Sequence, residues 1–215
     1  TNQANFKSIP GCNIGYWVSM NIIRLFKRKN ISSLFPVKKG ADTGCNDRFL
    51  RFWNEVSWIE TNMSKSRLTW CFYNKGGSFR KWYGNNDYVL YWKNSGELIS
   101  KTKANLRSKH LYFIPSITWN AVTSSDTSFR QSYTESIFDS AGSSMFPPVV
   151  HIPFYTALMN SSITKYILKV INPTLNYGAG TIGLLPVIPV KDKAYINEKA
   201  KQNISISKAE WDSRE

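Results

Sequence analysis

The sequence predicts an α+β fold with a mostly antiparallel β centre framed by helices. Three observations lead there. Short stretches rich in aromatic and β-branched residues fill the middle of the chain, separated by Gly, Asn and Ser turns. Stretches of helical period stand before and after them. With 215 residues, 42% hydrophobic and 14% aromatic, there is enough apolar surface for a real core.

Pro10-Gly11 closes an irregular lead-in. Ile14, Trp17, Val18, Ile22, Leu25 and Phe26 then repeat at helical spacing and run into Lys27-Arg28-Lys29. Cations at that end suit the helix macrodipole. Residues 48–59 alternate in part and predict a strand, as do 68–73 and 88–92. Asn74-Lys75-Gly76-Gly77-Ser78 and Gly84-Asn85-Asn86-Asp87 carry turn chemistry. Residues 94–108 predict a short surface helix, and 111–147 hold several short strands. Pro153 to Ile171 predicts one helix, with Phe154, Leu158, Ile163, Ile167, Val170 and Ile171 on its apolar side, stopped by Asn172-Pro173. Residues 174–190 predict extended chain. The charged tail, 191–215, predicts a helix, and Ser207-Lys208-Ala209-Glu210 matches a capping box before Trp211.

The charge is lopsided. Residues 1–110 hold 19 Lys and Arg against 6 Asp and Glu, a net of +13, whereas residues 111–215 hold 9 against 8, a net of +1. That is the footprint of a polyanion partner, nucleic acid first among them. A solvated basic face is the competing explanation. The basic side chains concentrate around Met63 to Lys93, interleaved with aromatics. Alternation along strands places many of those aromatics in the core. Lys75, Arg80 and Lys81 are therefore the better contact candidates, with Lys65 and Arg67 as outer phosphate contacts. Gly76 and Gly77 would let backbone N–H groups approach a phosphate. Arg48 and Arg51 are further candidates, although their stems could lie along the core. Asn85 and Asn86 could read adenine edges, but paired Asn suits a turn at least as well.

Other chemistries find little support. Cys12, Cys45 and Cys71 are odd in number and make no C-x-x-C, so neither a disulfide framework nor a zinc site is expected, and a reduced cytoplasmic protein is. Four Asn-x-Ser sequons are what chance provides. No apolar run approaches the roughly 18–20 residues of a membrane span, and the first residues do not form a signal peptide. The missing initial Met suggests a fragment or a processed chain. Gly178-Ala179-Gly180-Thr181-Ile182-Gly183 satisfies G-x-G-x-x-G but runs into Leu184-Leu185-Pro186, so a tight turn is expected rather than a dinucleotide site. Asn172-Pro173-Thr174-Leu175 lacks the second Pro and the aromatic of an amino-methyltransferase loop. No catalytic constellation and no metal-ligand set is visible.

Several ordered blocks carry a family resemblance. Thr43-Gly44-Cys45-Asn46-Asp47-Arg48-Phe49-Leu50-Arg51 resembles a TGDN-x-RFLR segment, with Cys45 where Asp is expected. Tyr73 to Asn86 resembles a YNKGG-x-FRKWYGNN block. Ile117-Thr118-Trp119, Phe138 to Phe146, Asn172 to Asn176 and Ile204 to Ser213 follow in order. Together they resemble BREX-type (bacteriophage exclusion), PglX-like adenine-specific DNA methyltransferases over essentially the whole chain.

The resemblance implies that residues 1–190 form a DNA target-recognition domain and that 191–215 is a charged helical segment opening the next region. It implies duplex DNA as partner. It also implies a methyltransferase catalytic domain in cis, which binds S-adenosylmethionine, and other defence-system proteins as further partners. No cofactor, membrane partner or catalytic residue is expected within these 215 residues. A scaffold module of the same defence complex, without base reading, is the alternative.

Overall fold

Two four-stranded sheets carry the fold in the computed structural model, which describes residues 7–13, 15–61, 69–123, 126–132 and 136–214. The helices are α1 (Met20–Leu25), α2 (Asn46–Phe49), α3 (Trp58–Thr61), α4 (Lys93–Ser100), α5 (Ile152–Asn160), α6 (Ser162–Ile171), α7 (Ala179–Gly183) and α8 (Lys193–Asp212). The strands are β1 (Val37–Lys38), β2 (Ala41–Asp42), β3 (Leu50–Phe52), β4 (Trp70–Asn74), β5 (Tyr88–Tyr91), β6 (Asn105–Leu106), β7 (Ser116–Trp119), β8 (Phe129–Ser132), β9 (Ser136–Phe138) and β10 (Ser144–Met145). The class is α+β.

One sheet has the order β1-β10-β7-β8 and is antiparallel throughout. The other has the order β3-β5-β4-β9. There β4 pairs with β9 in parallel, Phe72 opposite Ser136 and Asn74 opposite Phe138. A small β2–β6 ladder completes the β structure.

Each sheet has its own core. Ile117, Trp119, Phe129 and Met145 of the first sheet pack with Met159, Ile167 and Ile182 of the overlying helices. Leu50, Cys71, Tyr73, Leu90 and Ile137 of the second pack with Ile99 of α4 and with Leu111 and Tyr112. Full burial of side chains as large as Ile117 and Phe129 stabilises by about 1.5–3 kcal/mol each. All four residues of β7 are buried, although Ser116, Ile117, Thr118 and Trp119 alternate polar and apolar. The Thr118 hydroxyl donates within 3.2 Å of the Gly142 and Ser143 carbonyls, so its burial leaves no polar atom unmet.

Several elements differ from expectation, each for a local reason. The first helix starts only at Met20 because extended Ser19 caps it, accepting from the Ile22 N–H. Trp17 stays 56% exposed instead of joining a stripe, and Ile14 lies outside the described residues. The expected strand at 48–59 is divided among α2, the three residues of β3, a 3-10 turn at Trp53–Glu55 and α3. Pro153–Ile171 is two helices, not one. Ser161 breaks it by donating to the Leu158 carbonyl (2.6 Å) while accepting from the Thr164 N–H (3.3 Å). Within the supposedly extended 174–190 lies the short helix α7. Asp192, not Ser207, caps α8, accepting from the Tyr195 N–H at 2.8 Å. Ser207 lies inside that helix, and its hydroxyl donates to the carbonyls of Lys81 and Tyr83. The helix α8 packs along α5.

Candidate nucleic-acid interface

The turn after β4 is built from both sheets. Asn74 is buried, and its amide donates to the hydroxyls of Ser132 and Ser136. Gly76 and Gly77 sit at φ +98° and +140°, a region that glycine enters without strain. The amide of Asn120, just past β7, donates to the Gly77 carbonyl at 2.5 Å, and its Oδ1 accepts from Arg130 Nη2 at 2.8 Å. Lys75 thus stands on a rigid turn. Its ammonium lies 5.9 Å from the Tyr88 ring centre. It also lines a depression of about 290 Å³ with Asp42, Cys45, Asn46 and Asp139. Burial pushes the Asp139 carboxyl above the usual carboxylate range, opposed by the Ala141 N–H and by Lys75.

The segment after this turn joins the edge of the first sheet. Trp82 donates its N–H to the Phe129 carbonyl and accepts from the Gln131 N–H, both at 2.9 Å. Adjacent side chains then part company. Arg80 turns to α8, where Nη1 meets Glu210 at 2.5 Å and the guanidinium stacks 4.8 Å from the Trp211 ring. Its side chain is only 17% exposed. Arg80 therefore tethers α8 through Glu210, a carboxylate it shares with Arg214. Lys81 instead approaches Phe79 (5.9 Å) and lies near Lys165 and Asp126. Partial burial pulls its ammonium below the ordinary lysine range, and Lys165 adds to that shift.

The remaining predicted residues are scattered. Asn85 is buried at φ +61°. Its amide donates to the Ser78 carbonyl at 2.9 Å. It closes a turn, the role that paired Asn also suits, and it lines a cleft with Arg80 and Asp87. Asn86 is half-buried. Arg48 is exposed and leans over Phe49. Arg51 donates through Nη1 to the carbonyls of Asp47 (2.8 Å) and Leu50 (2.6 Å), which holds it along its own strand. Lys65 and Arg67 lie outside the described residues.

Sequence reasoning missed Lys165 and Lys169 of α6, which come from the nearly neutral half of the chain. Lys165 reaches Asp126 at 2.7 Å. Their i, i+4 spacing on a helix was the available signal. Arg130 was missed too. It is fully buried, burial lowers its guanidinium to about 10, and its Nη1 lacks a partner.

Among the described residues no group of three His, Cys, Asp or Glu side chains could hold a metal, and no helix is long and apolar enough to cross a membrane. Asn172 spends its side chain on its own loop: Nδ2 donates to the Asn176 carbonyl, and Oδ1 accepts from the Thr174 N–H and hydroxyl.

No protein-family model matches the chain. It is 37% identical over 220 residues to an adenine-specific methyltransferase BrxX of Escherichia coli O9:H4 (strain HS), a match that takes in 100% of this chain and 18% of that protein. It is 35% identical over 233 residues to an adenine-specific methyltransferase PglX of Lacticaseibacillus casei (strain Zhang), covering 100% of this chain and 19% of that protein. The chain spans about one fifth of the length of these relatives. From end to end, it is homologous to one region of the BREX-type, PglX-like adenine-specific methyltransferases.

Proposed function

We propose that this chain holds duplex DNA as the target-recognition region of an adenine-N6 DNA methyltransferase of a bacterial phage-defence system. The single observation that carries this is the end-to-end match to adenine-specific methyltransferases. An enzyme of that kind must grip DNA and expose one adenine. The net charge of +13 on residues 1–110 fits the gripping role. In this reading, methyl transfer and S-adenosylmethionine binding belong to a catalytic domain of the same polypeptide outside these residues, and the enzyme works in the cytoplasm.

Placement supports the following roles. Lys75 and Lys81 contact phosphates, and Arg48 extends the track. Gly77, exposed at the tip of the turn, lets the backbone come close. Asn86, half-buried, is the remaining candidate for a base edge. Arg80 and Asn85 shape the loop from within.

Fluorescence anisotropy with labelled duplex across a salt series tests this. Affinity should fall steeply with salt, and Lys75→Ala with Lys81→Ala should flatten the slope by about 1.8, near 0.9 per lost phosphate contact. Equal slopes for the wild type and the double variant would refute these contacts. A second reading, a protein-docking module, is favoured by Tyr16 and Trp17, 74% and 56% exposed. An absence of duplex binding at physiological salt would select it.

A further inference from the structure

Lysines from two segments remote in sequence, Lys81 on one and Lys165 and Lys169 on the other, gather near a single carboxylate. Lys165 donates to Asp126 at 2.7 Å, and its side chain is only 24% exposed. Lys169 stands one turn further along α6, and with Lys165 it lines a cleft of about 270 Å³ beside Asp126, Thr127 and Tyr177. The Lys165 hydrogen bond is the main cause that holds the Asp126 carboxyl below its usual range, and the charges of Lys169 and of Lys81, on the segment paired to β8, add to it. One acid balances one of three cations, which leaves a local excess of two positive charges. Gathering like charges costs energy that a bound anion recovers.

The connection to the Lys75 turn is structural. Asn120 and Asp126 both belong to the loop joining β7 to β8. The first bonds Gly77 and the second bonds Lys165. One loop therefore fixes both basic groups.

We propose that Lys165 and Lys169 bind a backbone phosphate of duplex DNA at the cleft beside Asp126, which serves as an internal counter-ion to be displaced. This rests on the DNA-binding reading above and extends it to a part of the chain that carries almost no net charge. The ordering cost of Lys165 is already largely met by its packing, so it offers a positioned cation rather than a loose one.

The experiment is a salt titration of duplex affinity for the wild type, Lys165→Ala/Lys169→Ala and Asp126→Asn, with circular dichroism as a check on folding. The double variant should lower the slope by about 0.9, the equivalent of one phosphate, so that the wild-type advantage shrinks roughly 3.5-fold between ~50 and ~200 mM salt. Asp126→Asn, which removes the counter-ion, should bind more tightly at every salt. A wild type that binds with a steep slope and a double variant with the same slope would overturn the α6 contact while leaving DNA binding intact. A wild type that does not bind duplex would overturn both. Titration with inorganic pyrophosphate forms the second arm. Saturable binding that the double variant abolishes, with no change in the duplex slope, would mean a small-anion site and would also overturn the proposal.

Discussion

Gly142→Ala is the sharpest test of the packing that holds the Lys75 turn. Gly142 is buried and has no left-handed φ, so its backbone would tolerate alanine. The obstacle is space. An added Cβ would stand 2.0 Å from the Asn74 carbonyl oxygen, 2.9 Å from its carbon and 3.0 Å from the Gly76 nitrogen. All three atoms are backbone, so no side chain can swing aside. Relief means pushing the end of β4 away, and the Asn74 carbonyl accepts from the Asp139 N–H at 3.1 Å. Overpacking costs about 1–3 kcal/mol, and a buried hydrogen bond left unmet costs about 1–3 more. The expected loss is therefore about 2–6 kcal/mol. Gly180→Ala is the matched control: nothing lies within 4 Å of its added Cβ, and it sits inside α7. There alanine should be neutral or gain about 0.5–1 kcal/mol. Urea unfolding at constant m reads both. A Gly142→Ala loss below about 1 kcal/mol would refute the close approach of residue 142 to the β4 turn, and with it the rigidity claimed for Lys75.

Two further outcomes follow from burial. Cys12 and Cys45 are exposed whereas Cys71 is buried, its thiol pushed up by desolvation. Thiol titration of the folded protein should therefore find two fast groups, with the third appearing only on unfolding; three fast groups would contradict the packing of β4. Burial raises the Asp139 carboxyl, so its contribution is fullest below pH ~4 and is lost as pH rises through its folded value. Asp139→Asn should gain stability relative to the wild type as pH climbs from about 4 to 7, read as the difference in Tm; a difference that shrinks over that range would invert the assignment.

How far the fold was legible depended on whether a pattern was local. The strands β4 and β5, with the glycine and asparagine turns between them, are spelled out in Trp70–Asn74 and Tyr88–Tyr91. So is the stop at Asn172-Pro173. What failed were features decided by one polar side chain or by tertiary partners. Ser161 splits a continuous apolar periodicity because its hydroxyl serves two helix ends at once. Ser207 satisfied a capping pattern, yet its hydroxyl found carbonyls of a segment more than 120 residues away. The parallel β4–β9 pair has no local signature, since its two strands are separated by the whole β5–β8 region.

The candidate site was legible in kind and not in detail. Composition located an excess of cations in the first half but could not say which were available. Arg80 and Lys81 are neighbours in a basic, aromatic run and read alike. In the fold Arg80 faces an acid and an indole on α8, while Lys81 stands over Phe79 with its ammonium lowered by burial and by the charge of Lys165. Arg80 is both ion-paired to Glu210 and stacked on the Trp211 ring, so reaching a phosphate would cost it two internal contacts. A charge held among like charges gains more from the same phosphate. The ranking of candidate contacts is thus set by which element lies opposite each side chain. That depends on how α6 and α8 return to the sheet edge, and no window of sequence around residue 80 contains it.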